Sequence, residues 1–249
     1  MSPSTIKVLM LHGYTQSGPI FRAKTRALEK LLVKALAPSS LSPVLLYPTA
    51  PIRLLAKDVP GFVDNGDDDD SQRSDARAWF RRDDATGVYV SLAEGMSVIA
   101  DAIREAGGVD AVCGFSQGAL VASLVTAALE PTRQVPEGSD SAAWVRNLRE
   151  ANRGRPLRFG VFYSGFVARA DGLEWCHDPK LDTPTLHYMG SLDTVVSESR
   201  NRELAEKCRG SVIVVHPGAH YVPVTREWVM PLAGFIREHA SRAQCMAGL

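Results

Sequence analysis

Six short runs constrain this chain more than any other feature: residues 6–11, 44–47, 109–113, 159–163, 185–189 and 212–215. They are apolar with recurring β-branched residues, and each is continuous rather than alternating. Strands buried on both faces look this way, as in a parallel sheet. Helical patterns lie between them. Phe21, Leu28, Leu31, Leu32, Ala35 and Leu36 form one apolar face. Ser91-Leu92-Ala93-Glu94 is a capping-box signature, in which Ser91 bonds the third helical N–H and Glu94 reaches back. The helix it opens carries Leu92, Met96, Ile99 and Ile103, and Gly107-Gly108 ends it. Residues 119–129 are apolar all round, which predicts a helix inside the core. Trp228, Leu232, Phe235, Ile236 and His239 mark a last amphipathic helix. The alternation predicts an α/β class with a mostly parallel sheet.

Two stretches break it. Residues 49–90 hold Pro51, Pro60, Gly61 and the acidic run 67–70, and exceed an ordinary crossover. A lid over a site is one expectation for them, although the acidic run is expected to be solvated loop. Residues 131–156 form a polar insertion with a short helix expected around 142–152. Residues 1–249 are expected to make one domain carrying these two insertions.

Composition removes whole classes of function. Lys plus Arg number 28 and Asp plus Glu number 28, so the formal net charge is zero. That balance lacks the basic excess of a nucleic-acid binder or of a protein held on an anionic membrane. No run is long enough to span a bilayer, and none has the form of a signal peptide. The expected location is cytoplasmic. The four cysteines, Cys113, Cys176, Cys208 and Cys245, are far apart and show neither zinc spacing nor a disulfide framework.

The chemistry is concentrated in Gly114-Phe115-Ser116-Gln117-Gly118. This G-x-S-x-G follows an apolar strand and precedes an apolar helix, the context that such a nucleophile turn requires. Glycines two before and two after Ser116 allow close backbone packing, and the helix N-terminus beneath it favours developing negative charge. A serine hydroxyl needs a general base. His12, His216 and His220 compete for that role. His220 lies in a loop beyond the last strand, with Gly218 giving local freedom, and is favoured; a strand-end structural role suits His216. The orienting acid is expected past the fifth strand, where Asp193 stands, whereas Asp178 and Asp182 precede that strand. Backbone N–H groups of Gln117 and Tyr14 are the expected oxyanion donors, with His12 bracing the Tyr14 loop.

The segments Leu11 to Gly18, Arg77-Ala78-Trp79-Phe80, Gly114 to Gly118, Gly190 to Val196 and His216 to Pro223 together resemble the family of serine hydrolases (FSH). Its members are small eukaryotic, often fungal, esterases and thioesterases of the α/β-hydrolase type. The resemblance runs through nearly the whole chain. It implies a Ser116, Asp193, His220 triad and a minimal six-stranded sheet of order 2-1-3-4-5-6 with helices on both faces. It implies no cofactor and no metal. The substrate it implies is a small-molecule acyl ester or thioester, with an acyl group on a polyketide synthase carrier as a narrower expectation.

Trp79, flanked by Arg77, Arg81 and Arg82, is expected either to offer aromatic and positive surface to an acyl group or to anchor its loop to the core. Val196 and Tyr221, beside the triad loops, are further pocket residues. An acyl-protein thioesterase or lysophospholipase shares the G-F-S-Q-G turn and is the alternative enzyme. A non-catalytic ligand-binding scaffold and a metallohydrolase are weaker readings, because the triad positions are intact and the histidines lack ligand spacing.

Overall fold

The computed structural model describes residues 3–55, 58 and 75–240. The acidic run 67–70, Pro60, Gly61 and Cys245 lie outside the described residues. Strands β1 (Ser4–Leu11), β2 (Leu41–Leu46), β7 (Ala111–Phe115), β8 (Phe159–Tyr163), β9 (Thr185–Gly190) and β10 (Val212–His216) form one sheet in the order β2-β1-β7-β8-β9-β10. Every pairing in it is parallel. Counting these six along the chain, the order is 2-1-3-4-5-6, as the resemblance implies.

Side chains alternate across the pleat, and each set has its own helices. Val8 and Met10 of β1, Cys113 of β7 and Tyr163 of β8 point to α1 (Gly18–Leu36) and α6 (Arg226–Ala240). Leu9 and Leu11 of β1, Val112 of β7 and Phe162 of β8 join the opposite core. That core is filled by α2 (Leu92–Glu105), α3 (Gln117–Leu129) and α4 (Ser141–Ala151). Every residue of α3 is buried, as its all-round apolar character predicts. A shorter helix, α5 (Glu198–Glu206), packs beside β9.

Two local expectations are corrected. The β2 and β10 runs are not buried on both faces, because they are the two sheet edges. Val44 is 40 % exposed, and Val212, Ile213 and Val215 are 38–45 % exposed. The Ser91 capping box does not form. Ser91 takes a left-handed conformation (φ 61°, ψ 19°) and its side chain makes no capping bond. Capping needs extended backbone at that residue, whereas here the chain turns out of a hairpin between β5 (Arg81–Arg82) and β6 (Tyr89–Val90).

That hairpin belongs to the 49–90 excursion, which also pairs β3 (Ile52–Arg53) with β4 (Arg77–Ala78). A bridge from Gln16 to Arg77 fastens the excursion to the loop after β1. The 131–156 insertion is held by a buried cluster. Glu130 accepts from Arg133, from the backbone of Asp182 and from the backbone and hydroxyl of Thr183. Among the described residues no helix is long and apolar enough to cross a membrane.

Candidate active site

Parallel strands deliver their following loops to one edge of the sheet, so residues far apart in sequence meet beyond the strand ends. β7 runs into Ser116, β8 into Ser164, β9 into Asp193, and β10 into His220. The turn at Ser116 is sharp enough to need glycine on both sides. A Cβ on Gly114 would come within 2.1 Å of the Gly118 carbonyl oxygen, and one on Gly118 within 2.1 Å of the Leu11 oxygen. Ser116 itself sits at φ 54°, ψ −118°, a strained backbone that L-residues rarely adopt. Its N–H donates to the Tyr163 carbonyl at 2.9 Å, which ties the turn to β8.

Three side chains form one hydrogen-bonded line. Ser116 Oγ is 3.0 Å from His220 Nε2. His220 Nδ1 is 2.7 Å from Asp193 Oδ2. The Asp193 carboxylate has no solvent-exposed surface and is fully occupied. Its Oδ1 accepts from the Val195 and Val196 backbone N–H groups, each at 2.9 Å, and Oδ2 also accepts from Ser164 Oγ at 2.8 Å. Burial pushes its pKa up. Hydrogen bonds from the Val196 amide, His220 and Ser164 outweigh that burial, and the net pKa lies below the ordinary carboxylate range. The carboxylate is therefore charged at neutral pH and holds Nδ1 as the protonated nitrogen, leaving Nε2 to accept from the serine.

The His220 loop is itself fixed. The Leu192 N–H donates to the Gly218 carbonyl at 3.0 Å, and the Gly218 N–H donates to His216 Nδ1 at 3.2 Å. A Cβ on Gly190 would come within 2.5 Å of the Gly218 oxygen, so a bare backbone is what lets the loop cross β9. The imidazole of His220 rests on the Phe115 ring, with centroids 4.7 Å apart. His216 is a buried strand-end residue between Tyr221 and Trp228.

His12 is also buried and braces the Tyr14 loop. Its Nδ1 donates to the Gly13 carbonyl at 2.9 Å, and its Nε2 accepts from the Ala50 N–H at 3.0 Å. Burial lowers its pKa to about 4, so it stays neutral. Among the described residues, neither the Tyr14 N–H nor the Gln117 N–H donates to a protein group. The loop carrying Tyr14 lies against the turn carrying Gln117: a Cβ on Gly13 would meet Phe115 Cδ1 at 2.9 Å.

The pocket residues divide. Trp79 has no exposed surface, and Val196 is 2 % exposed. A side chain without surface presents no wall to a substrate, which corrects the substrate-contact expectation for both residues and leaves the anchoring one for Trp79. Trp79 is an anchor instead. Its Nε1–H donates to the His12 carbonyl at 2.9 Å, and its backbone N–H donates to Gln117 Oε1 at 2.9 Å. Gln117 Nε2 donates to the Phe80 carbonyl, also at 2.9 Å. Val196 serves Asp193 through its backbone. Two of the excursion's cations are engaged as well, Arg77 with Asp75 at 3.1 Å and Arg81 with Asp58, whereas Arg82 has no ion pair among the described residues. Tyr221 is half exposed and lines a cavity beside His220.

Two contributors escaped the sequence reading. Ser164, at φ 48° just past β8, was not singled out, although the residue after a central strand's carboxyl end was the available signal. The clamp made by the Gln117 side chain had no local signal, because its partners lie some forty residues away. Among the described residues no group of three or more His, Cys, Asp or Glu side chains is arranged to hold a metal ion.

Comparison with known proteins adds the following. A family model described as Serine hydrolase (FSH1) matches residues 1–232. The chain is 32 % identical over 227 residues to a Schizosaccharomyces pombe protein named Dihydrofolate reductase, covering 88 % of this chain and 44 % of that one. It is 29 % identical over 240 residues to Family of serine hydrolases 2 of Saccharomyces cerevisiae, covering 94 % of this chain and 99 % of that one. The chain spans about half the length of the first curated relatives it matches. Among solved structures, Zea mays acyl-protein thioesterase 2 superposes with a TM-score of 0.58 at 17 % identity, covering 96 % of this chain and 95 % of that one. At that identity the likeness is one of fold.

Proposed function

Because this chain belongs to the serine hydrolase (FSH1) family, we propose that it cleaves a carboxylic ester or acyl thioester through an acyl intermediate on Ser116. It is a serine esterase or thioesterase, and Ser116, His220 and Asp193 are its working residues in this reading. Ser116 Oγ attacks the acyl carbonyl while His220 Nε2 takes its proton. The oxyanion that forms is met by the Tyr14 and Gln117 N–H groups. His220 then returns the proton to the departing alcohol or thiol. Water enters, His220 takes its proton, and the acid leaves. Asp193 fixes the His220 tautomer and stabilises the imidazolium throughout.

The single observation that supports this most is the unbroken hydrogen-bonded line from Ser116 to Asp193, starting on the strained backbone of the Ser116 turn. A fluorophosphonate probe tests it. Wild type is expected to label and Ser116→Ala is not; equal labelling of both removes Ser116 as nucleophile.

Residues 1–249 act in this reading as one catalytic domain, with 49–90 and 131–156 as insertions. A cytoplasmic setting fits the buried free thiols of Cys113, Cys176 and Cys208. Within the substrate class, an acyl group on a polyketide synthase carrier is the narrower proposal. The family resemblance supports it, and a series of free and carrier-bound acyl thioesters tests it.

A further inference from the structure

A cavity of about 300 Å³ opens beside His220, between α1 and the loop after β10. Its apolar floor is Phe21 and Phe115, stacked with centroids 6.4 Å apart, and His220 forms one wall. Besides His220, the lining residues with polar side chains are Lys24, Gln16 and Tyr221, and no carboxylate residue lines it. Among the described residues Lys24 has no ion-pair partner, whereas Arg77 and Arg81 of the excursion are both paired. Gln16 is 8 % exposed and its amide is oriented. Its Oε1 accepts from the Gly13 N–H at 3.3 Å, which turns the two Nε2 hydrogens to other partners. None of those is taken up by the described residues. The Tyr221 hydroxyl end packs on Gly218, so this side chain gives the cavity its ring. An unpaired cation and a neutral amide donor over an apolar floor form a receptor for a short chain ending in an anion.

We propose that this cavity is a subsite for an anionic group, a carboxylate carried a few carbons from the scissile bond, and that Lys24 sets the preference for it. This rests on the hydrolase reading above, and it adds a substrate class to that reading. The carboxylate has two sources, the acyl part or the leaving part. The chemistry is the same, so the experiment carries an arm for each.

In the acyl arm, the p-nitrophenyl hemiester of glutarate is compared with p-nitrophenyl pentanoate. In the leaving arm, the acetyl thioester of mercaptopropionate is compared with that of propanethiol. Values of kcat/KM are measured for wild type, Lys24→Gln and Lys24→Glu. Lys34→Gln, on the last turn of the same helix, is the charge-matched control. In at least one arm, wild type is expected to prefer the charged substrate, and Lys24→Gln to lower the charged-to-neutral ratio about tenfold. Lys24→Glu should lower it further, Lys34→Gln should leave it unchanged, and added salt should weaken the wild-type preference. A ratio that moves in the acyl arm assigns the carboxylate to the acyl group; one that moves in the leaving arm assigns it to the alcohol or thiol. A wild type without preference in either arm, or a ratio unmoved by Lys24→Glu, overturns the subsite while leaving the hydrolase reading intact. No turnover of any of the four substrates, together with no fluorophosphonate labelling, overturns the hydrolase reading and the subsite with it.

Discussion

Gln117→Ala separates the two jobs that the structure gives this residue. Its backbone N–H, the proposed oxyanion donor, survives the substitution. Its side chain, which does not survive, closes two hydrogen bonds of 2.9 Å, accepting from the Trp79 N–H and donating to the Phe80 carbonyl. All three residues are at most 7 % exposed, so water does not replace the lost partners. A buried polar group left unpaired costs about 1–3 kcal/mol, and two are left here, giving a destabilisation of roughly 2–6 kcal/mol. The same change frees the segment whose Trp79 Nε1–H holds the His12 carbonyl, one residue before Gly13 and two before Tyr14. A Tyr14 amide that drifts from its position forfeits part of one proposed oxyanion donor; complete loss of such a donor lowers kcat by about 10²–10³. The expected result is a fall in urea stability of that size, with kcat for a short ester reduced about tenfold and KM less affected. Trp79→Phe removes the bond to His12 and leaves a cavity where the pyrrole ring stood, but it keeps the backbone bond to Gln117, so it should show the kcat effect with a stability loss of its own. Stability within about 0.5 kcal/mol of wild type for Gln117→Ala would refute the clamp. A large stability loss with kcat unchanged in both variants would refute its connection to the Tyr14 loop.

Two further outcomes follow from the same network. Ser164→Ala removes one hydrogen bond to the charged form of Asp193, so its carboxyl pKa should rise toward the ordinary value; kcat for a short ester is expected to fall about three- to tenfold with KM little changed, and an unchanged kcat would remove Ser164 from the site's support. Burial holds His12 and His177 at about 4 and His187 at about 3, all below the ordinary 6.5. The unfolded chain therefore takes up these protons first as pH falls. Stability is full above about pH 6.5 and is lost on descending toward pH 4, by up to roughly 3 kcal/mol for each fully displaced group. Asp193, depressed below the carboxylate range, adds its own loss only at still lower pH. Melting midpoints at pH 7 and pH 5 check the sign, and a midpoint that rises on acidification would contradict it.

What was legible in the sequence was what local chemistry dictates. An apolar strand, two glycines around a serine and an apolar helix leave one sharp turn as the outcome, and the close approaches at Gly114 and Gly118 give the geometric reason. His220 and Asp193 were legible because they stand just beyond strand ends in the right order. The features that went astray depend on partners distant in the chain. A run such as 212–215 has the same composition at a sheet's edge as at its centre, so its exposure is a property of neighbours that never arrive. Ser91 has the capping residues but not the backbone, which the preceding hairpin sets. Trp79 among arginines has the look of a binding surface until Asp75 takes Arg77, Asp58 takes Arg81, and Gln117 and His12 take the tryptophan.

The five segments that carry the family resemblance are also linked to one another physically. The loop after β1 holds Trp79 through the His12 carbonyl, and Trp79 holds the nucleophile turn through Gln117. The turn meets the last loop at Ser116 and His220, and that loop meets the loop after β9 at Asp193. The 77–80 segment lies far from the nucleophile in sequence and contributes no side chain to the Ser116–His220–Asp193 line. Its place in the chain of contacts explains why it accompanies the other four segments: it joins the two loops whose amides are the proposed oxyanion donors. Loosening it should therefore disturb the chemistry before it disturbs substrate binding, which is the distinction that the Gln117 and Trp79 variants measure.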